Sequence, residues 1–277
     1  MIVSTNFFFI FRIFFTYLKL KFKIRNVSLY EIWCLDLYLF SIRNRIKILK
    51  ETNNYFIVEY KLNKKRKFII RHKPSSDFSV FKSVIIEKQY SFDFQLINNE
   101  PFIIIDAGAN VGYTAIYLKD RFPSSTIYSI EPSFTNYEIL KANIDLNNLI
   151  EIYLINKALW YENDILGFDS NFRDGLEHSI RTIENNDESE LKIAALNLKS
   201  IIDEYKIKKI QILKIDIEGA EAEIFNNDKQ LNNVLEITNN LAIEIHDEFQ
   251  CREKIEFVLK MNEFKLLDVG ELTIAYR

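Results

Sequence analysis

Residues 103–112, IIIDAGANVG, decide the fold of this chain. An apolar run ends in an acid, Asp106, and a turn containing Gly108 and Gly112 follows at once. A continuous apolar run is typical of a buried parallel strand, and glycine lets the backbone approach a ligand closely. Because the chain has only six glycines, two of them in one turn predict a binding site for a nucleotide-like cofactor at this strand end.

From about residue 100 onward, segments typical of strands and of helices alternate. This alternation predicts an α/β fold with a doubly wound, mostly parallel sheet. The last two strands are separated only by Gly270, which predicts an antiparallel hairpin. The predicted strands cover 102–106, 126–131, 151–155, 210–217, 241–246, 264–269 and 271–276, and the predicted helices cover 112–121, 134–147, 197–205, 219–226 and 250–261. Residues 160–193 are predicted to form a long irregular loop.

Charge divides the chain into a basic front and an acidic body. Residues 1–73 carry 16 Lys and Arg against 4 Asp and Glu, a net of +12, and the remainder carries 20 against 35, a net of −15, which together give −3. We therefore expect a basic, aromatic, helical extension over 1–50, a hairpin and a helix over 51–99, and a catalytic domain over 100–277.

The first residues leave two alternatives open. The segment 6–25, NFFFIFRIFFTYLKLKFKIR, is interrupted by Arg12 and is too short to span a bilayer, which needs about 20 apolar residues. It predicts either a helix packed on the body or, through residues 1–25, a basic aromatic segment on an anionic membrane surface. Cys34 and Cys251 lack metal-type spacing, which fits a cytoplasmic protein, with peripheral membrane contact as the alternative.

Acids follow the first two predicted core strands. Ligands of open α/β sheets bind at the carboxyl ends of strands, and both Asp106 and Glu131 lie at such ends. Glu131 lies 25 residues after Asp106, close to the spacing at which an acid binds the ribose hydroxyls of a nucleoside. We expect Asp106 and Glu131 to belong to one cofactor site.

The spacing of the glycines distinguishes between cofactors. Gly108 and Gly112 form G-x-x-x-G, whereas a dinucleotide site uses G-x-G-x-x-G to pass a pyrophosphate. The acid before the turn would repel a pyrophosphate and would suit an ammonium or sulfonium group. S-adenosylmethionine is therefore favoured over NAD. The alternatives are an NAD-type oxidoreductase and a non-catalytic protein that binds RNA or a membrane surface, although no aromatic-interleaved RNA motif supports a nucleic-acid partner.

Two further strand ends carry charged side chains. In LKIDIEGAE, residues 213–221, alternation places Lys214, Asp216 and Glu218 on one face of the strand. The strand LAIEIH ends in Glu244 and His246. We take Asp216 as the first candidate for a catalytic base or hydroxyl-orienting group, His246 as the second, and Lys214 as a group that tunes Asp216. Asp216 with Glu218 or His246 could hold a divalent cation. One strand end rich in carboxylates is too little to assign a metal site.

Four motifs together resemble the FkbM family of S-adenosylmethionine-dependent methyltransferases. They are IDAGANVG, SIEPS, LKIDIEGAE and IEIH, in the order expected for that family. The resemblance extends upstream through Arg71, Asp77 and Phe81 and covers roughly residues 55–277. It implies a Rossmann-like class I methyltransferase with a seven-stranded, mostly parallel sheet that ends in an antiparallel hairpin.

The resemblance also implies roles for individual residues. The methionine end of the cofactor would be held by Asp106, Gly108, Asn110 and Gly112, the ribose by Glu131, and the adenine near Ala158, with Ser133 and Asn143 as weaker candidates. An Asn-Pro-Pro-aromatic tetrapeptide, which many amino-directed enzymes carry, is replaced here by Asp216-Ile217-Glu218. The implied acceptor is a hydroxyl of a small molecule, either a sugar or glycan, as in glycan biosynthesis, or a secondary metabolite.

Overall fold

The computed structural model describes residues 3–22, 27–94, 102–169, 181–183 and 192–277. The part before the core consists of α1 (Val3–Phe22), α2 (Leu29–Arg43), β1 (Lys47–Glu51), β2 (Tyr55–Lys61), β3 (Lys65–Arg71) and α3 (Asp77–Phe81), which continues into a π-turn at Lys82–Ile86. The core begins with β4 (Ile103–Ala107), α4 (Tyr113–Arg121), β5 (Thr126–Ile130), α5 (Phe134–Leu146) and β6 (Ile152–Ile155).

The second half of the core starts with four short strands, β7 (Ala158–Leu159), β8 (Asp164–Asp169), β9 (Arg181–Ile183) and β10 (Lys192–Leu196). It continues with α6 (Leu198–Tyr205), β11 (Ile210–Ile215), α7 (Ala220–Asn227), α8 (Leu231–Glu236), β12 (Thr238–Glu244), α9 (Arg252–Met261), β13 (Lys265–Val269) and β14 (Leu272–Tyr276). A short 3₁₀ turn, Asp247–Phe249, precedes α9.

The central sheet has seven strands in the order β13-β14-β12-β11-β4-β5-β6. Strands β12, β11, β4, β5 and β6 pair in parallel, and β14 pairs antiparallel with both β12 and β13. The predicted Rossmann-like class I methyltransferase sheet and its terminal hairpin are confirmed. The strand order reverses direction between β4 and β11, and there Lys214 lies opposite Asp106.

Both faces of this sheet are covered by helices and side chains of the core. Ile104 and Ile212 point to one face and pack with residues of α4, α5 and the part before the core. Ile105 and Leu213, their chain neighbours, point to the other face and pack with α6, α8 and α9. Every residue of β11 is buried, which explains why its sequence is a continuous apolar run with a single charged residue, Lys214.

The part before the core differs from its prediction in two ways. The predicted hairpin, β2 and β3, gains a third antiparallel strand because β1 pairs with β2, so residues 47–49 are not helical as we expected. The sequence from Phe78 to Tyr90 predicts the helix of this part, but the observed helix ends at its π-turn, since Lys88 adopts a left-handed backbone conformation with φ of 57°. The segment from the π-turn to Tyr90 is therefore free to line the site instead of continuing a helix.

Polar contacts tie the three-stranded sheet to the core helices. The carboxylate of Asp120 on α4 accepts hydrogen bonds from the Asn63 backbone and from Arg66. Arg71 forms an ion pair with the buried Asp77 at 2.8 Å and also donates to Asn136 on α5 at 2.7 Å. These contacts join β3 to α4 and α5, which carry the turns of the site.

The N-terminal helix α1 packs against α2 and β1. Ile13 and Thr16 are buried there, and Arg12 forms an ion pair with Glu51. Phe14 and Tyr17 point outward, with 54% and 46% of their surface exposed. Among the described residues, no helix has the length and apolarity to cross a bilayer.

The described residues of the segment 160–193 do not form the irregular loop that we expected. Strands β7, β10, β8 and β9 form a second, four-stranded sheet, in which β10 pairs in parallel with β7 and antiparallel with β8. Leu166, Ala195 and Trp160 bury an apolar cluster on it, so packing stabilises a segment whose composition favours loops. Residues 170–180 and 184–191 of the predicted loop lie outside the described residues. Helix α8 was also not predicted.

Replacing Asp77 with alanine tests the ion pair that connects β3 to α3. The substitution leaves the Arg71 guanidinium largely buried without its carboxylate, and breaking such a pair costs about 3–5 kcal/mol. We expect the free energy of unfolding in urea to fall by that amount. The control is Lys65→Ala, which removes an ion pair whose lysine is 73% exposed and should cost no more than about 1 kcal/mol. Equal losses in the two variants would contradict the assignment.

Candidate functional site

A cavity of about 330 Å³ opens at the carboxyl ends of β4, β5, β11 and β12. Its walls come from the turn after β4, from the end of β5, from the turn after β11, and from the segment between α3 and the core. Five predicted site residues line it, Gly108, Asn110, Glu131, Lys214 and Asp216. The cavity lies beside the point where the strand order reverses, which is where open α/β sheets bind their ligands.

The turn after β4 folds over the end of β5. The backbone N–H groups of Gly108 and Ala109 both donate to the Ile130 carbonyl, at 3.0 and 2.9 Å. Gly108 has φ of 78° and Asn110 has φ of 49°. A Cβ atom on Gly108 would lie 1.7 Å from the Asp216 carbonyl oxygen. Glycine is therefore required here by both backbone conformation and space.

Glu131 lies at the floor of the cavity and is 5% exposed. One carboxylate oxygen accepts the Asn110 backbone N–H at 2.8 Å, and the other accepts the Ser133 N–H at 2.9 Å. Burial raises the pKa of Glu131 to about 7, although these two backbone donors oppose the rise. Its carboxylate thus spans the turn after β4 and the start of α5, and each oxygen keeps further acceptor capacity.

Lys214 lies between two acids and two backbone carbonyls. Its Nζ is 3.4 Å from Asp106 and 3.5 Å from Asp216, and it donates to the carbonyls of Ala107 and Gly108 at 3.0 and 2.6 Å. Burial acts to lower the pKa of Lys214, but Asp216, Tyr90 and Asp106 raise it above its ordinary value. Lys214 is therefore a fixed cation at the junction of β4 and β11.

Asp106 and Asn110 differ in how they relate to the cavity. Asp106 is fully buried, does not line the cavity, and pairs with Lys214, whose Nζ lies 3.4 Å from its carboxylate. Asn110 lines the cavity, and its buried side-chain oxygen has no hydrogen-bond donor within the described ranges. Buried acceptors of this kind are costly unless a ligand or water supplies a donor.

A second group of charged side chains surrounds His246. Its Nδ1 is 2.5 Å from a carboxylate oxygen of the fully buried Glu221, and its Nε2 is 3.5 Å from Glu218 and 3.9 Å from Glu244. Burial would lower the pKa of His246, but the hydrogen bond and charge of Glu221, with the charges of Glu218 and Asp216, raise it to about 9. His246 is an imidazolium at neutral pH, and it lies behind the cavity wall without lining the cavity.

The donor atoms of Asp216, Glu244 and His246 lie within 4.8 Å of one another. Such a set could hold a divalent cation with oxygen and nitrogen ligands. Carboxylates also converge at the ends of adjacent parallel strands without a metal. The proximity alone does not assign a metal site.

Other predicted site residues lie outside the cavity lining, where they support its walls. Gly112 begins α4, and a Cβ atom there would lie 2.5 Å from Leu140 of α5. The Ser133 hydroxyl caps α5, and Ala158 is buried in β7 while its neighbour Leu159 lines the cavity. Asn143 bridges the Val111 carbonyl and the Ile69 N–H. The roles that we expected for these residues remain predictions.

Sequence reasoning did not assign a role to several lining residues. Tyr90 is 1% exposed and lines the cavity close to Lys214 and Asp216. Its segment precedes the first core strand, so the pattern of charged residues at strand ends does not indicate this contact. Glu271, in the final hairpin, also lines the cavity. Glu244 could have been found, because it ends an apolar strand two residues before His246.

Replacing Gly108 with alanine tests the close approach of the two turns. The new methyl group would overlap the Asp216 carbonyl, so we expect the free energy of unfolding to fall by more than about 3 kcal/mol. The control is Gly270→Ala, because Gly270 also has a positive φ, 62°, but faces open space. That variant should lose only the backbone strain, about 1–2 kcal/mol. A tolerated Gly108→Ala would show that the turns lie further apart.

Comparison with known proteins agrees with this geometry. The family model described as Methyltransferase FkbM domain matches residues 106–265. Methyltransferase 1 of Beauveria bassiana (strain ARSEF 2860) is 22% identical over 188 residues, which cover 61% of this chain and 73% of that protein. Methyltransferase sdnD of Sordaria araneosa is 24% identical over 216 residues, which cover 68% of this chain and 82% of that protein.

Solved structures give a more distant match. The structure of M. jannaschii TYW2 in complex with AdoMet shares 16% identity and covers 83% of this chain and 88% of its own, with a TM-score of 0.40. The family match spans every strand that ends at the cavity, from Asp106 in β4 to the start of β13. On the strength of that match, the chain belongs to the FkbM methyltransferase family.

Proposed function

We propose that this protein transfers a methyl group from S-adenosylmethionine to a hydroxyl oxygen of a sugar, glycan or secondary metabolite. The observation that carries the proposal is the position of Glu131. This buried acid lines the cavity beside the glycine turn after β4 and accepts the Asn110 N–H of that turn. Membership of a methyltransferase family supports the reaction class, and the choice of oxygen as acceptor is our inference.

The residues present fit S-adenosylmethionine. The carboxylate of Glu131 accepts two backbone N–H groups and a hydrogen bond from the Asn136 side chain, which still leaves some acceptor capacity for the ribose hydroxyls. The side-chain oxygen of Asn110, which lines the cavity without a hydrogen-bond donor from the described residues, suits a donor at the amino-acid end of the cofactor. The cavity volume of about 330 Å³ lies within the usual range for small-molecule sites, about 300–1,000 Å³.

When bound, S-adenosylmethionine supplies an electrophilic methyl group on a positively charged sulfur. The chain's own part is to position this group and to surround it with negative charge. Asp216, Glu218, Glu244 and Glu271 line the cavity, whereas Lys214 is already engaged by Asp106 and Asp216. This surplus of carboxylates favours a sulfonium and disfavours the pyrophosphate of NAD.

The wall after β11 supports a hydroxyl acceptor. Asp216-Ile217-Glu218 occupies the position at which many amino-directed enzymes carry Asn-Pro-Pro-aromatic. Side chains of Asp216, Glu218 and Glu244 can accept hydrogen bonds from several hydroxyl groups at once. Such a wall suits an acceptor rich in hydroxyls, as sugars are.

Calorimetric titration with S-adenosylmethionine tests the cofactor. We expect Glu131→Gln to weaken binding about 10- to 100-fold, because it removes charged hydrogen bonds worth about 1.5–3 kcal/mol. Since the pKa of Glu131 is raised to about 7, wild-type affinity should fall as the pH drops below 7 and the carboxylate becomes protonated. Glu131→Gln should lack this dependence.

The control for this titration is Glu138→Gln on the exposed side of α5, which should bind like wild type. Tighter binding of NAD than of S-adenosylmethionine, or no binding of either, would contradict the proposal. The acceptor is tested separately with methyl-labelled cofactor and a panel of glycosides and their amino-sugar counterparts. Methyl ethers are the expected products, and N-methyl products would overturn the choice of oxygen.

A further inference from the structure

We propose that Glu244, rather than Asp216 or His246, accepts the proton of the acceptor hydroxyl. This inference rests on the proposed function and assigns a catalytic residue within it. Glu244 is the last residue of β12, and it lines the cavity with its side chain 25% exposed. It is thus close enough to the cavity to meet a substrate and buried enough to be protected from bulk water.

Asp216 is less suited to this step because its carboxylate is engaged. One of its oxygens is 3.5 Å from Lys214 Nζ, and its backbone is fixed by a hydrogen bond to the Ala107 carbonyl. Its position suits it to orienting the acceptor hydroxyl. In the described part of the chain, the one ion pair of Glu244 is to His246, at 3.9 Å.

His246 is unsuited as a base for a different reason. It carries a proton at neutral pH, because Glu221 holds Nδ1 and because Glu218 and Glu244 lie around Nε2. An imidazolium cannot accept another proton. It is a positioning residue whose charge stabilises Glu244 once Glu244 is ionised.

The groups around Glu244 bring its pKa into the range where it can accept a proton near neutral pH. Burial, followed by the charge of Asp216, raises the pKa of Glu244 to about 8, and the charge of His246 opposes the rise. The titratable groups that face Glu244 are Asp216 and Glu218 from the turn after β11, Glu271 from the final hairpin, His246, and Tyr90 from the segment before the core. A base whose pKa lies near the working pH transfers protons most effectively.

The methyl transfer is a displacement at the methyl carbon, in which every bond formed is matched by a bond broken. The acceptor oxygen forms a bond to the methyl carbon while the bond from that carbon to sulfur breaks. The bonding pair moves onto sulfur, which becomes a neutral thioether in S-adenosylhomocysteine. The hydroxyl proton passes to the carboxylate of Glu244 and then to solvent through the open side of the cavity.

A direct test measures the titration of Glu244 without an acceptor. In protein labelled with ¹³C at glutamate carboxyl carbons, one resonance should titrate at about pH 8 in the free protein, and it should be missing in Glu244→Gln. Binding of S-adenosylmethionine should lower this pKa, because the sulfonium favours the carboxylate. A Glu244 carboxyl that titrates at the ordinary value for glutamate would overturn the proposal.

The kinetic test follows once the labelled-methyl screen supplies an acceptor. Glu244→Gln should lower kcat by about 10²–10⁴-fold and remove the rise of kcat with pH, while its affinity for S-adenosylmethionine stays within a few-fold of wild type. His246→Gln should shift that rise to higher pH, and Glu271→Gln should shift it to lower pH. Glu138→Gln is the control that leaves the profile unchanged.

The outcomes separate this proposal from the proposed function. Normal cofactor binding with an unchanged kcat in Glu244→Gln would reject Glu244 as the base and leave the methyltransferase intact. Failure of wild type to bind S-adenosylmethionine would reject the proposed function itself. Stoichiometric Mn²⁺ binding that Glu244→Gln abolishes, together with loss of activity in EDTA, would show a metal site in its place.

A separate observation concerns the outward face of α1. Phe14, Tyr17 and Lys21 follow the i, i+3, i+7 spacing that places side chains on one face of a helix, and all three are exposed. The opposite side, with Ile13 and Thr16, packs on the body. The helix is both packed and amphipathic, so the two alternatives raised by the sequence are compatible.

From this face and the +12 charge of residues 1–73 we infer that α1 docks on the surface of an anionic membrane. Aromatic side chains would enter the interface between headgroups and acyl chains, and lysines would contact the headgroups. The position of α1 on the body would place the catalytic domain next to the membrane.

Co-sedimentation with lipid vesicles tests this docking. The full-length protein should pellet with vesicles containing phosphatidylserine, pellet less with phosphatidylcholine alone, and be released by salt. Phe14→Ser combined with Tyr17→Ser should reduce pelleting, whereas the control pair Phe134→Ser and Phe257→Ser, which are 67% and 59% exposed on the core, should not. No pelleting of wild type, or equal effects of the two pairs, would overturn the inference.

Discussion

The buried ammonium of Lys214 joins the two strand ends on which the site is built. It contacts the carbonyls after β4 and the acids at the ends of β4 and β11. Because these carbonyls belong to the glycine turn, the same cation fixes the floor of the cofactor cavity and the wall that faces the acceptor. The contact is possible only because Gly108 has no side chain and Asp216 can approach it closely.

The part of the chain before the core completes the cavity. Arg71 and Asp120 hold the three-stranded sheet against α4 and α5, and this places the segment between α3 and Tyr90 over the glycine turn. The family match begins only at residue 106. The wall that this earlier segment forms therefore comes from a part of the chain that the family match does not cover.

The sequence predicted the central sheet because its inner strands β4, β5 and β11 are almost entirely buried and appear as mainly apolar runs with an acid at or just after their ends. It also predicted five residues that line the cavity, since Gly108, Asn110, Glu131, Lys214 and Asp216 lie at strand ends or in the turns that follow them. It could not predict that Tyr90 lines the cavity. That contact depends on the preceding helix ending before Lys88, which adopts a left-handed backbone conformation. The second sheet was missed because the segment that forms it is rich in Asn, Asp, Gly and charged residues, a composition that favours loops.

The charge states of Glu244 and His246 could not be predicted from the sequence, because they depend on contacts between residues that are distant in the chain. The spacing of Glu244 and His246 placed both at one strand end, but the buried partner of His246, Glu221, comes from α7. That contact raises the pKa of His246, whereas Glu244 is one of the acids that line the cavity. Only the three-dimensional arrangement distinguishes these two roles.

The most direct test of this account is a crystal structure of the protein with S-adenosylhomocysteine. The account predicts that both ribose hydroxyls lie about 3 Å from the carboxylate of Glu131, with the amino-acid end of the product against Gly108 and Asn110. The sulfur should face the wall formed by Asp216 and Glu244. A product bound elsewhere, or one whose ribose does not contact Glu131, would contradict the account.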